Sequence, residues 1–132
     1  MTTRLRRLLT VSLLAPLVVL TGCGGGDDAN ASTIRVSDAD DISVFDYDYV
    51  IPPGTADRIA AGDDIEIIPQ ELVMEVGQSI RITNHDDVGH VVGVFYVGAG
   101  ETLTQRFDSP GELSGECSVH PSGSFTLRVV DA

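Results

Sequence analysis

Lysine is absent from this 132-residue chain, and all eight basic residues are arginines. Three of them, Arg4, Arg6 and Arg7, stand at the amino end; Arg35, Arg58, Arg81, Arg106 and Arg128 are scattered along the rest. A protein that binds nucleic acid needs a clustered basic footprint to neutralise phosphates, so nucleic acid is excluded as a partner. Internal repeats are also missing, and so is any acidic run with the ligand spacing of a calcium loop. The groups Asp38-Ala39-Asp40-Asp41 and Gly62-Asp63-Asp64 read instead as solvated turns. There are only two cysteines, Cys23 and Cys117, and Met74 is the only methionine after Met1.

What is present begins with order at the amino end. The three arginines precede an apolar stretch from Leu8 to Leu20, the arrangement of an export signal. That stretch is short for a membrane span, and Pro16 interrupts it. The next residues, Leu20-Thr21-Gly22-Cys23, resemble the lipobox of bacterial lipoproteins. The resemblance implies cleavage before Cys23, lipid on its thiol, and tethering at the extracytoplasmic face of a cell membrane, periplasmic or outer. The competing reading is an ordinary signal peptide with a chance cysteine. Arg6-Arg7 lacks the surroundings of a twin-arginine signal. Loss of residues 1–22 leaves five arginines against twenty acidic residues, a formal charge of −15. Such a charge favours a basic partner, or simply keeps a tethered domain soluble.

Residues 23–32, Gly- and Asp-rich without apolar periodicity, read as a flexible spacer. The remainder, 33–132, is the length of one domain. It is rich in Val, Ile and Thr and broken often by Gly, Pro, Asn and Asp. Alternation predicts strands at Ile34–Val36, Ser43–Tyr47, Leu72–Val76, Ser79–Thr83, His90–Val97, Thr102–Phe107, Glu112–Cys117 and Ser124–Val130. A short helix is expected at Thr55–Ala61, with Thr55 as N-cap and Gly62 at its C-terminus. The fold class is therefore all-β, an antiparallel Greek-key sandwich.

If Cys23 is consumed by lipid, Cys117 has no partner for a disulfide, and a lone thiol outside the cytoplasm is either buried or used. Cys117-Ser118-Val119-His120 sets a thiol and an imidazole three positions apart, and His90 supplies a third donor at a strand start. Two imidazoles and one thiolate form the ligand set of a blue-copper electron-transfer centre. Each also has a structural reading: His90 bonded to backbone at the core edge, Cys117 as a small buried apolar residue, and His120 as a turn residue held by Pro121. His85 reads as solvent-exposed and Met74 as core packing.

The segment from Glu75 to His90, with Val76-Gly77-Gln78 and Asn84-His85-Asp86, is similar to the plastocyanin-like cupredoxins. So are Gly100-Glu101-Thr102, Phe107, Ser109-Pro110-Gly111 and Cys117-Ser118-Val119-His120-Pro121, in the family's order over roughly residues 65 to 130. The resemblance implies a cupredoxin-like sandwich with one mononuclear copper, equatorial ligands His90, Cys117 and His120, and no catalysis of its own. Two departures stand out. Where the family places an axial methionine this chain has Gly123, Ser124 and Phe125, so that Phe125 occupies an axial position without a ligand and the Gly89 carbonyl is the candidate axial donor. Val91 follows His90 where the family commonly has Asn, removing an outer partner that would tune the site. Three functions are compatible with these residues: one-electron transfer with an extracytoplasmic or membrane redox protein, copper trafficking or buffering toward a copper-accepting protein, and a metal-free interaction module.

Overall fold

The computed structural model describes residues 34–132. The expected signal peptide, Cys23 and the spacer lie outside the described residues. In chain order the elements are β1 (Val36–Ser37), β2 (Tyr47–Ile51), α1 (Thr55–Ala60), β3 (Glu71–Glu75), β4 (Ser79–Asn84), β5 (His90–Gly93), β6 (Phe95–Val97), β7 (Thr102–Phe107), β8 (Gly111–Cys117) and β9 (Ser124–Val130). Among them no helix is long and apolar enough to cross a membrane.

The strands form two sheets, one in the order β1-β7-β4-β2 and one in the order β3-β9-β8-β5-β6. Their alternation buries one face of each. Ile80 and Ile82 of β4 and Phe107 of β7 point inward, and so do Leu72 and Met74 of β3 and Phe125, Leu127 and Val129 of β9. Each such side chain contributes about 1.5–3 kcal/mol by leaving water, enough together to hold the sheets face to face. Met74 is core packing, as expected. The all-β, two-sheet sandwich is the architecture observed.

Direction and boundaries differ in places. Two pairs are parallel, β2 with β4 and β3 with β9, where an antiparallel sandwich was expected. Side-chain alternation shows which face of a strand is buried and is silent on the direction of its neighbour. The strand expected at Ser43–Tyr47 lies instead at Tyr47–Ile51, since Val44 is exposed and Phe45 lies against the Arg81 guanidinium, 4.9 Å from its ring centroid. Asp46 ends that preceding segment by accepting hydrogen bonds from the Ser79 N–H (2.9 Å) and hydroxyl (3.0 Å). The single strand expected at His90–Val97 is two, because Gly93 turns the chain at φ 63°.

α1 forms where expected, but Thr55 is not its cap. Gly54 is the N-cap residue, in the left-handed region, and Thr55 is buried with its hydroxyl donating to the Pro52 carbonyl at 2.7 Å. The helix's free N–H groups are met from a distant loop, by the carboxylate of Asp86. At the other end Gly62, at φ 90°, donates to the Ile59 carbonyl while Asp63 donates to that of Arg58. This is the paired closure that a left-handed glycine allows.

Candidate functional site

The β4–β5 loop leads into β5, the β8–β9 loop hydrogen-bonds back to β5 through Ser118, and together they carry the candidate residues. β4 ends in Asn84, fully buried, whose amide donates to the carbonyls of Val88 (2.8 Å), Gly98 (3.0 Å) and Val97 (3.1 Å). Its oxygen accepts the Asp86 N–H at 2.9 Å. These bonds wind residues 85–89 tightly enough to turn Asp86 inward and to deliver His90 at the start of β5. His85, in the same turn, is exposed, as expected.

His90 is 3 % exposed, and both ring nitrogens are engaged. Nε2 lies 2.9 Å from Asp86 Oδ2, and Nδ1 lies 3.1 Å from Ser118 Oγ. The hydrogen bond from His90, helped by the backbone N–H groups of Ala56, Asp87 and Gly54, outweighs burial and holds the Asp86 carboxyl well below the usual carboxylate range.

Cys117 closes β8, registered opposite Val92 of β5. It is a buried free thiol; burial pushes its pKa up, opposed in part by the Val119 N–H. Beyond it the chain turns back. The Cys117 N–H donates to the Gly123 carbonyl (3.0 Å), the Gly123 N–H donates to the His120 carbonyl (2.9 Å), and Ser118 N–H donates to the Val91 carbonyl (2.9 Å). Val119, between thiol and imidazole, is fully buried, and its carbonyl accepts the Ile67 N–H at 3.1 Å.

His120 stands in the turn after β8, and its side chain is 12 % exposed. Its Nδ1 accepts the Ser122 N–H at 3.0 Å and faces the Ser122 hydroxyl at 2.7 Å, while Nε2 lies 3.9 Å from a Glu66 carboxylate oxygen. A cleft of about 250 Å³ opens beside it, lined by Ile59, Ile65, Ser118, Pro121 and the acidic turn Gly62-Asp63-Asp64.

The two residues considered for the axial direction have packing roles. Phe125 is 2 % exposed and its ring lies over Gly93, within 2.9 Å of where a side chain there would begin. The Tyr96 ring covers Gly89 so closely that a Cβ at Gly89 would overlap its hydroxyl. Among the described residues no group of three or more His, Cys, Asp or Glu side chains is placed to hold one metal ion. The structure thus links His90 directly to the Cys117 loop through Ser118, and holds His120 in a separate serine contact.

Asp86 is the residue that the sequence reading missed, having placed it only as a turn residue. Its signal was the four-residue spacing to His90, which in a loop does not show that the two side chains meet.

No family model matches the chain, and no curated protein matches it. Among solved structures it is similar to amicyanin from Paracoccus versutus, with a TM-score of 0.46 at 11% identity over 74% of this chain and 100% of that one. It is similar to a purple cupredoxin from Nitrosopumilus maritimus, with a TM-score of 0.42 at 26% identity over 64% of this chain and 100% of that one. A reduced Cu(I) form of an amicyanin variant gives 0.42 at 18% identity over 74% of this chain and 97% of that one.

Proposed function

We propose that the chain is an extracytoplasmic copper-binding protein of cupredoxin-like fold, tethered through lipid on Cys23, whose role is one-electron transfer. The donors are His90, Cys117 and His120. The observation that carries the reading is the 3.1 Å contact between His90 Nδ1 and Ser118 Oγ, which ties the first imidazole to the residue after the thiol. Two imidazoles and a thiolate suit copper, which would supply one-electron chemistry when bound.

The donor types fit copper, whereas the present hydrogen bonds close their donor atoms. Ser118 faces Nδ1 of His90, Ser122 donates to Nδ1 of His120, and burial keeps the Cys117 proton on. Loading therefore requires release of two serine contacts and loss of the thiol proton, which makes affinity rise with pH. Phe125 would be an apolar neighbour of the bound ion and the Gly89 carbonyl would be a weak donor to it. The partner is a basic redox protein at the same membrane, and the tether raises its effective concentration. The reading is of a carrier and not an enzyme.

The two serine contacts also favour a second reading, a trafficking or buffering protein that passes copper on, because a site closed by its own hydrogen bonds returns readily to that state. The experiment is to add one equivalent of Cu(II) to the full chain and record visible absorption and EPR, with Cys117→Ser alongside. An intense thiolate-to-copper band with narrow hyperfine splitting, both lost in Cys117→Ser, supports electron transfer. Retention of Cu(I) without that band shifts the function to trafficking. Binding of neither ion leaves a metal-free interaction module.

A further inference from the structure

Ile34, the first described residue, is buried in the main apolar cluster, and Arg35 beside it is pinned by three hydrogen bonds. The Arg35 N–H donates to the Ser109 hydroxyl (2.8 Å), its carbonyl accepts the Asp108 N–H (2.8 Å), and its guanidinium donates to the Asp108 carbonyl (3.4 Å). The point where the preceding chain enters the fold is therefore held at the turn between β7 and β8. Strand direction puts that turn at one end of the sandwich. Phe107, closing β7, pairs with Val36, while Thr102, opening β7, pairs with Thr83 beside Asn84. β8 leaves the same turn at Gly111 and reaches Cys117 only at its seventh residue, a rise of about 20 Å.

The candidate residues all stand at the other end. Asn84 winds the loop to His90, Cys117 leads into the turn of His120, and α1 is bonded to Asp86 through Gly54 and Ala56. That end is acidic: Asp57, Asp63, Asp64, Glu66, Asp87 and Glu101 are exposed around it, and the arginine there, Arg58, is already bridged to Asp63 at 3.0 Å. An anionic headgroup surface repels such an end, and a cationic protein surface attracts it.

We infer, resting on the reading that Cys23 carries the lipid, that anchor and candidate site lie at opposite ends of the domain. The His120 end faces away from the membrane and takes its partner from the water side, through a basic water-soluble domain and not a membrane-embedded face. Eleven Cα steps separate Cys23 from Ile34, at most about 40 Å when fully extended. With the entry turn nearest the lipid, none of that length is needed to pass the domain. With the site end nearest the lipid, the chain must run back along the whole sandwich, about 20 Å of strand plus the loops beyond it. Holding a chain that extended costs conformational entropy, and the acidic end would meet the headgroups as well.

The test uses the lipidated chain on nanodiscs of phosphatidylcholine and phosphatidylglycerol doped with a gadolinium-chelating lipid, read by amide NMR. Loss of signal is expected at Arg35, Asp108 and Asp131, at the entry end, while Asp63, Asp87 and Ser122 keep theirs. Loss first at Asp63, Asp87 and Ser122, or equal loss throughout, overturns the inference. Hexalysine then serves as the basic probe, on discs of phosphatidylcholine alone. It is expected to shift the amides of Asp63, Asp64 and Asp87 equally on the disc and in the lipid-free chain. Shifts lost on the disc would mean that lipid covers the site end, and shifts absent from both forms would remove the basic partner. A chain purified from membranes without diacylglycerol on Cys23 defeats the anchoring reading and this inference with it. A lipidated chain with its site end against the disc defeats this inference alone.

Discussion

Asn84 Oδ1 accepts the backbone N–H of Asp86 at 2.9 Å, and this short bond between residues two apart is what turns Asp86 toward His90. The Asn84 amide spends its two hydrogens on three carbonyls, of Val88, Val97 and Gly98, so one buried side chain fixes both the β4–β5 loop and the end of β6. Asn84→Ala removes a donor from all three carbonyls, of which Gly98 keeps the Glu101 N–H, and leaves the Asp86 N–H without its acceptor. A loss of about 3 kcal/mol is expected, read as a lowered urea midpoint with unchanged slope. A loss below about 0.5 kcal/mol would mean that water replaces the amide, as at an ordinary surface site.

The Cys117 thiol is buried and its pKa is raised, so the native protein holds it neutral and out of reach. In a Cys23→Ser background, which leaves one thiol, a disulfide reagent at neutral pH is expected to react at least about 100-fold more slowly than in denaturant. Because the folded pKa lies above the unfolded one, this thiol supports the fold below about pH 8.5 and withdraws that support as pH rises further. Reaction at the denatured rate would place the thiol at the surface.

Asp86 runs in the opposite direction. Its folded pKa is depressed by His90 and by backbone N–H groups, so its contribution is complete above the ordinary aspartate range near pH 4. It is lost progressively as pH falls below that range. Denaturation midpoints measured from pH 7 down to pH 2 should fall, and the fall should be shallower in Asp86→Asn than in wild type. Parallel curves for the two proteins would show that other carboxylates carry the acid sensitivity.

Gly115 of β8 faces Gly93 of β5 so closely that a Cβ would overlap the Gly93 carbonyl, and backbone on both sides cannot yield as a side chain would. Gly115→Ala is expected to cost about 1–3 kcal/mol, whereas Ser114→Ala, exposed one residue earlier, stays within about 0.5 kcal/mol. Paired thermal melts measure the difference. Equal melting points would mean that the two strands separate at no cost.

Much of this was legible in the residues. β4, β7 and β9 could be placed because Ile80 and Ile82, Leu103 and Phe107, and Leu127 and Val129 alternate with polar neighbours, and alternation is the signature of a half-buried strand. Gly62 was readable as a helix stop because only a left-handed residue closes a helix in that way. The two parallel pairs were hidden, since a partner's direction leaves no trace in one strand's pattern. Tyr47–Ile51 was misplaced because Val44 and Phe45 mimic an apolar strand while lying outside the core. His90, Cys117 and His120 were picked out as candidates by type and order, and among the described residues they are not placed to hold one metal ion. The Asp86 contact was invisible because it depends on a loop wound by Asn84 and on a helix cap taken from 30 residues away. The serine contacts that close the two imidazoles were likewise matters of rotamer and not of spacing.

The most direct test of the copper reading is X-ray absorption at the copper edge on the full chain loaded with one equivalent, beside Cys117→Ser. One sulfur and two imidazole nitrogens are expected around the metal in wild type, with the sulfur gone in the variant. A shell of nitrogen and oxygen alone in both proteins would show that Cys117 is packing and that copper, where it binds, binds elsewhere.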